Sequence, residues 1–277
     1  MITSVPALEV ERVRGFKGTA LGAPASLGAQ HWDFANRQSE GGPTLDKRVR
    51  QALALAINAQ QIADVVYQGL AEPAPGQITH KATFGFDPSL SARPFDPDAA
   101  RQLLKDAGFG SGFDLQMDSR MDGDTKPMVE ATSGFWQDIG MKTSIVPLEI
   151  NVWRDRLYGR EQKPWPGAFN VGWVAYLYDA GFLYDWYEGG GAYRMWDADD
   201  PTQAKFDGFY SAALVEVDDE KRRGLYQDIA KLFSHDGESP VAVTNYVDAL
   251  NAWREDVVSN YVPARFPELL FDELIPV

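Results

Sequence analysis

Residues 96 to 148 constrain the chain most. DPDAARQLLKDAGFG places Asp96 as an N-cap, Pro97 at the first helical position and Gly108 at the left-handed position past the last turn. FDLQM then alternates like a strand, KPMVEATSGFWQDIG spaces Met128, Thr132, Trp136 and Ile139 along one helical face, and MKTSIVPLE returns as a strand. Strand, helix, strand with short links is a βαβ unit, which implies a parallel pair and a right-handed crossover.

The flanks are read the same way. Upstream, LEVERVRG begins an alternating, strand-like piece that continues through Gly, Ala and Pro as a connecting segment. PTLDKRVRQALALAINAQQIADVVYQG is an amphipathic helical stretch: Val49, Ala52, Leu53, Ala56 and Ile57 recur at helical spacing, Arg48 and Gln51 face water, and Gly69 stops the pattern. Downstream, NVWRDRLYG reads as a short helix and AFNVGWVAY as a buried strand. QAKFDGFYSAALVEV and DDEKRRGLYQDIAKLFSHDG read as two helices, the second with an acidic first turn that complements its dipole. SPVAVTNYV is a further strand, and the remainder wanders. The expected class is α/β, a mixed sheet flanked by helices.

Of the 277 residues, 44% are apolar, enough for one large core or two small ones. Forty acidic against 26 basic residues give a formal charge of −14, which disfavours nucleic acid and anionic membrane surfaces as main partners. There is no cysteine, so disulfides, thiolate metal sites and a cysteine nucleophile go together. MITSVPALEVERVRGFKG lacks the basic start and apolar run of a secretory signal, and no stretch approaches the ~18 apolar residues of a membrane helix. If the protein is exported, its signal is expected outside this sequence.

No metal or cofactor is expected. His31, His80 and His235 are far apart and none has metal-ligand spacing. DSRMDGDTK imitates a calcium loop at Asp118, Asp122, Gly123 and Asp124, but Arg120 holds its third position and Val129 its twelfth, so a strand-to-helix loop is the better reading. GFGSG follows a helix and precedes a strand, the reverse of the order that aims helical N–H groups at phosphate. No nucleophile elbow, P-loop or kinase signature occurs.

One stretch invites a functional reading. GWVAYLYDAGFLYDWYEGGGAYRMW, residues 172 to 196, packs nine aromatic rings, three acids and a glycine triplet. Core strands rarely carry unpaired carboxylates among their rings, whereas ligand sites combine apolar area with a few orienting polar groups. The stretch also follows a buried strand, where α/β folds place ligands. The competing reading is a strand edge whose rings cover a neighbouring helix.

FANRQSEGGPTLDKRVRQALALAINAQQIADVVYQGLAEPA resembles the signature of the peptide/nickel class of extracytoplasmic solute-binding proteins that feed ABC importers, at Asn36, Asp46, Arg48, Val49, Arg50, Ala52, Ala56, Ile57, Asn58, Gly69 and Pro73. FDPDAARQLLKDAGF and KFDGFYSAALVEVDDEKRRGLYQDIAKLFSHDGESPVAVTNY are similar to two further family segments in the family's order. The resemblance implies a two-lobed, non-catalytic binding protein in the periplasm or an equivalent compartment, closing on a peptide or small-molecule ligand and docking on ABC permease subunits. It also implies that this chain is the second lobe, residues 41 to 245. Residues 1 to 40 and 246 to 277 would then cross to a first lobe outside the sequence. The family's ligand-facing "W-x-a-D-y-x-(D/E)-P" falls on residues 173 to 180, where Trp173 and Asp179 match but Tyr176 replaces the first acid and Ala180 the proline. The residues expected at the cleft are Trp173, Tyr176, Tyr178, Asp179, Tyr184, Asp185 and Trp186. In peptide-binding members the first acid pairs with the ligand's amino group, so its loss leaves Asp179 or Asp185 to replace it, or favours a sugar or modified peptide. Two other classes stay open: a carbohydrate-active enzyme using carboxylates such as Asp179 and Asp185, and an interaction module that needs a first-lobe partner.

Overall fold

The structure is a computed structural model and describes residues 5–22, 28–159, 165, 167–174, 177–191, 193–247 and 250–257, the side chains of 173 and 174 excepted. Its helices are α1 (Val10–Arg14), α2 (Lys47–Leu55), α3 (Ala59–Gln61), α4 (Pro97–Asp106), α5 (Thr125–Asp138), α6 (Ile150–Tyr158), α7 (Ala180–Tyr184), α8 (Pro201–Val215) and α9 (Asp219–Phe233). Its strands are β1 (Thr19–Gly22), β2 (Gly28–Phe34), β3 (Ala71–Pro73), β4 (Asp114–Arg120), β5 (Lys142–Leu148), β6 (Ala168–Val174), β7 (Val241–Val247) and β8 (Asn251–Arg254). No helix among the described residues is long and apolar enough to cross a membrane.

Six strands form one mixed sheet in the order β3-β7-β2-β6-β4-β5. The βαβ unit is present: β4 and β5 run parallel over seven residue pairs, from Asp114 opposite Lys142 to Arg120 opposite Leu148. The caps are where the sequence puts them. Asp96 accepts from Ala99 N at 2.8 Å, and Gly108 adopts φ +88°. Asp218 caps α9, accepting from the amides of Glu220 and Lys221.

Helices cover both faces. On one, Trp32, Phe34, Leu115 and Met117 meet Val49 and Leu53 of α2, Leu104 of α4, and Met128 and Trp136 of α5. Trp136 Nε1 donates to the Leu53 carbonyl at 2.8 Å, so this buried indole N–H is satisfied. On the other, Phe169, Val171 and Val243 meet Leu183 and Tyr184 of α7, Phe206 and Tyr210 of α8, and Tyr226, Ile229 and Phe233 of α9. Buried Arg50 ties α2 to the sheet by donating to the carbonyls of Thr44, Leu45, Glu238 and Ser239. Burial pushes its pKa down to about 10.

Three expectations need correcting. LEVERVRG is helical rather than extended, ending in α1, whose Val10 and Val13 pack with Val5, Leu250 and Ala252 beside the β1–β8 ribbon. The 47–69 stretch is not one helix. Asn58 accepts from Gln61 N at 2.9 Å and caps a new turn, which continues as a π-helical turn over Ile62–Val66. Most consequential, Gly28–Phe34 is no crossing segment but a central strand, antiparallel to both β6 and β7, so the 41 boundary cuts the sheet. The alternation in β2 is confined to His31 to Phe34, behind a Gly-, Ala- and Pro-rich run that reads as a connection, and both faces of the strand are covered. His31 Nε2 lies 3.3 Å from Asp33 Oδ1, both side chains being fully buried.

Candidate functional site

The ring-rich stretch is largely core. After β6 the chain turns into α7, whose Asp179 N-cap accepts from Gly181 N at 2.9 Å. Asp179 also pairs with Arg222 of α9 at 2.6 Å, and that guanidinium lies over the Phe84 and Tyr226 rings. Tyr184 corrects the expected cleft set: it is 0% exposed, its hydroxyl 3.0 Å from Thr79 Oγ1 and its ring against Phe206, Tyr226 and Phe233. Burial raises its pKa. Tyr187, Tyr193 and Trp196 are buried in the same cluster, and Trp186 and Tyr178 pack against it. Asp185 is exposed and accepts from Tyr210 OH at 2.8 Å. The glycine triplet is a packed turn: Gly189 N donates to Asp207 at 2.9 Å, and Gly191 lies so close to the Trp186 carbonyl that a Cβ would collide. Tyr176 and the Trp173 side chain lie outside what the structure describes.

Asp179 and Asp185 thus each have a structural partner in the fold, which does not favour the reading of the two as a catalytic pair. The first is neutralised by Arg222 and the second is hydrogen-bonded to Tyr210. None of the seven expected residues is among those that line the recess at Gly172.

One opening among the described residues starts from the same strand, β6. A recess of about 90 Å³ is lined by Gln30, Arg120, Thr125, Trp153, Asn170 and Gly172. Arg120 ends β4, Asn170 lies before the midpoint of β6 and Gly172 just past it, so the recess sits at the carboxyl end of β4, where β6 runs on beyond its parallel neighbour. Thr125 starts α5, and Trp153 comes from α6 after β5.

Each wall has a local cause. Trp153 Nε1 donates to the Asn170 carbonyl at 3.0 Å and its ring stacks on Phe169, which fixes the indole. Asn170 donates to the His31 carbonyl at 3.0 Å and accepts from Ser119 Oγ at 3.2 Å. Arg120 lies over the Trp153 ring, 5.7 Å from its centroid, and pairs with Asp122 at 2.6 Å. It is half-exposed, so water weakens that pair. Beneath, buried Asp118 is held by Arg156 at 3.2 Å. A Cβ on Gly172 would lie 2.6 Å from Gln30 Nε2, so glycine there leaves room for the Gln30 side chain. Gln30 Oε1 is buried without a donor, an acceptor at the recess that the fold itself leaves unsatisfied.

The recess offers a cation, an indole, an amide with a spare acceptor and exposed strand backbone at Gly172. That suits binding and orienting a polar molecule, and it is too shallow to enclose one. Among the described residues no group of three His, Asp or Glu could hold a metal. The rule that ligands sit at the carboxyl ends of strands, extended from β6 to β4 and to the helix after β5, reaches Arg120 and Trp153. Gln30 had no such signal, because β2 was not recognised as a strand.

Comparison with known proteins converges on one family. The model described as "Bacterial extracellular solute-binding proteins, family 5 Middle" matches residues 1–194. The di/tripeptide-binding protein 3 of Pseudomonas aeruginosa is 30% identical over 190 residues, 65% of this chain and 34% of that protein. The periplasmic binding protein DppA from Helicobacter pylori, in complex with the peptide STSA, superposes with a TM-score of 0.77 at 21% identity over 92% of this chain and 48% of its own. NikA from Brucella suis, in complex with Fe(III)-EDTA, gives 0.79 at 18% identity over 99% and 56%. The chain thus spans about a third of that curated relative and about half of the two solved chains.

Proposed function

This chain belongs to family 5 of the bacterial extracellular solute-binding proteins, and from that premise we propose that it is the second lobe of an extracytoplasmic receptor that grips a peptide-like solute for an ABC importer. One observation carries the reading: the polar recess beyond β4 and β6 is open, shallow and unsatisfied at Gln30, as one wall of a two-walled cleft should be. Arg120 would meet a carboxylate of the ligand, Trp153 would cover its apolar part, and Gln30 Oε1 would accept from a ligand N–H. Trp173 and Tyr176 follow Gly172 in sequence and would extend this wall. Because Tyr176 stands where peptide-binding members keep an acid and Asp179 is engaged by Arg222, a peptide's amino group would have to be met from the opposite wall. Closure would then be stabilised by as much as the ligand prefers the closed form. The reading needs no catalytic step.

Calorimetric titration with a panel of di- and tripeptides tests this, run on the chain alone and on the chain joined to a first lobe of the family. Binding that appears only in the joined protein, and weakens about tenfold in Arg120→Met, is expected. Failure of every peptide to bind the joined protein, or affinity indifferent to Arg120, would overturn it.

A further inference from the structure

A second cavity, about 310 Å³, lies between the 75–94 loop and the turn joining α9 to β7. Register fixes its place. Asp33 pairs with Val241 and Phe34 with Ala168, so this turn lies at the amino end of β6, whereas Gly172 of the recess lies toward its carboxyl end. The polar lining is Ser89, Ser91, Arg93, Ser234, His235 and Asp236.

Arg93 is the unusual member. Its Nε and Nη2 are buried and neither has an acceptor. Those two atoms form the guanidinium edge that grips a carboxylate or phosphate through two parallel N–H···O bonds. Burial pushes its pKa down only to about 10, so it stays charged near neutral pH. The residue is partly exposed, yet two donors of a charged group shut from water without acceptors are costly. The same fold treats two buried arginines differently: Arg37 donates to the Arg194 carbonyl, and Arg50 to the carbonyls of four residues. The end of α9 is not the missing partner: its Lys231 and Leu232 carbonyls accept from the Ser234 and Glu238 amides, and neither buried nitrogen of Arg93 donates to them. Beside Arg93, His235 Nδ1 is also buried without a partner. Burial first, and then the Arg93 charge, lower the His235 pKa, so the ring is neutral near pH 7. Asp236, the acid of the lining, is exposed and screened by water.

We propose that this cavity is an accessory site for a small oxyanion, a carboxylate or phosphate group, gripped by the Nε–Nη2 edge of Arg93 with Ser91 and His235 at its sides. Both nitrogens are shut from water, so the guanidinium rotates into the cavity as the anion enters. The anion supplies two missing acceptors and the missing countercharge. It also ties the 75–94 loop to the α9–β7 turn, stabilising this lobe from the end of the sheet opposite the recess. The inference does not depend on which solute the recess holds.

Thermal denaturation of the 277-residue chain with sodium acetate and with sodium phosphate, each against sodium chloride at equal ionic strength, tests it. A saturable rise in Tm that is lost in Arg93→Met is expected. A rise with acetate alone assigns the site to carboxylates, and one with phosphate alone assigns it to phosphate groups. If Arg93→Met does not fold, Arg93→Lys keeps the charge but not the fork and should weaken the anion at least tenfold. No rise beyond chloride, a rise retained by Arg93→Met, wild-type affinity in Arg93→Lys, or a rise abolished by Arg120→Met instead would each overturn the proposal.

Discussion

The ring-rich stretch from 177 to 196 and the recess beyond β4 and β6 use aromatic side chains in opposite ways. In the first, Tyr184 is turned inward against Phe206 of α8 and Phe233 of α9, Tyr187 against Phe233, and two of the three acids, Asp179 and Asp185, are taken up by Arg222 and Tyr210. In the second, a single tryptophan is held by its own N–H to the sheet and presents a face to Arg120 at the surface. Aromatic density therefore marks the core here, and an anchored ring beside an exposed cation marks the place where a ligand can approach. The two are adjacent because β6 carries the chain from one to the other.

The comparison breaks first at Tyr184. Tyr184→Ala removes a fully buried ring from among Phe206, Tyr226 and Phe233 and leaves Thr79 Oγ1 without that partner. A loss of about 3–5 kcal/mol in urea denaturation is expected. A loss under about 1 kcal/mol would mean that the ring is not core, and would return the stretch to the list of cleft walls. Trp153→Leu probes the other region: about a tenfold drop in affinity for whatever peptide the joined protein binds, equivalent to about 1.4 kcal/mol. Thermal stability should move far less than with Tyr184→Ala, since the ring is only partly buried. Equal effects on stability and binding would erase the distinction between the two regions.

Asp179 sharpens the distinction from inside the ring-rich stretch. If it anchors a ligand, Asp179→Asn should abolish binding. If it caps α7 and pairs with Arg222, both side chains being over a quarter exposed, the substitution should cost about 1 kcal/mol and leave affinity within about twofold. The second outcome is expected, and calorimetry beside thermal melts separates them.

What the sequence made legible follows the same division. Local rules worked where one residue answers to its neighbours: Asp96 and Gly108 bound α4, Met128 to Ile139 mark the buried face of α5, and the βαβ order implies the parallel pair. They failed where a residue answers to a distant partner. His31 and Asp33 are buried because they face each other inside β2, so burial does not follow the polar–apolar alternation of His31 to Phe34 in a strand covered on both sides. Asp179 reads as a free acid until Arg222, 43 positions away, is folded against it. The recess was half legible, since the carboxyl ends of predicted strands locate Arg120, while Gln30 could be placed only with β2.

The smallest expected effect concerns how the N-terminal segment is attached to the lobe. Asp124, at the start of α5, accepts from Ala7 N at 3.0 Å through both oxygens, and burial raises its pKa above the ordinary carboxylate value. A carboxyl whose pKa is higher folded than unfolded adds stability that is fully present below the unfolded value, about 4, and lost as pH rises through the folded value. At neutral pH its charge is thus a small penalty, only partly offset by the Ala7 amide. Asp124→Asn keeps one acceptor for that amide and removes the charge. It should stabilise the chain by a few tenths of a kcal/mol at pH 7, with the advantage vanishing below about pH 4. Paired melts of both proteins across that range decide it. An advantage independent of pH would show that packing rather than charge sets the contact, and that the segment ahead of β1 is held to this lobe by shape alone.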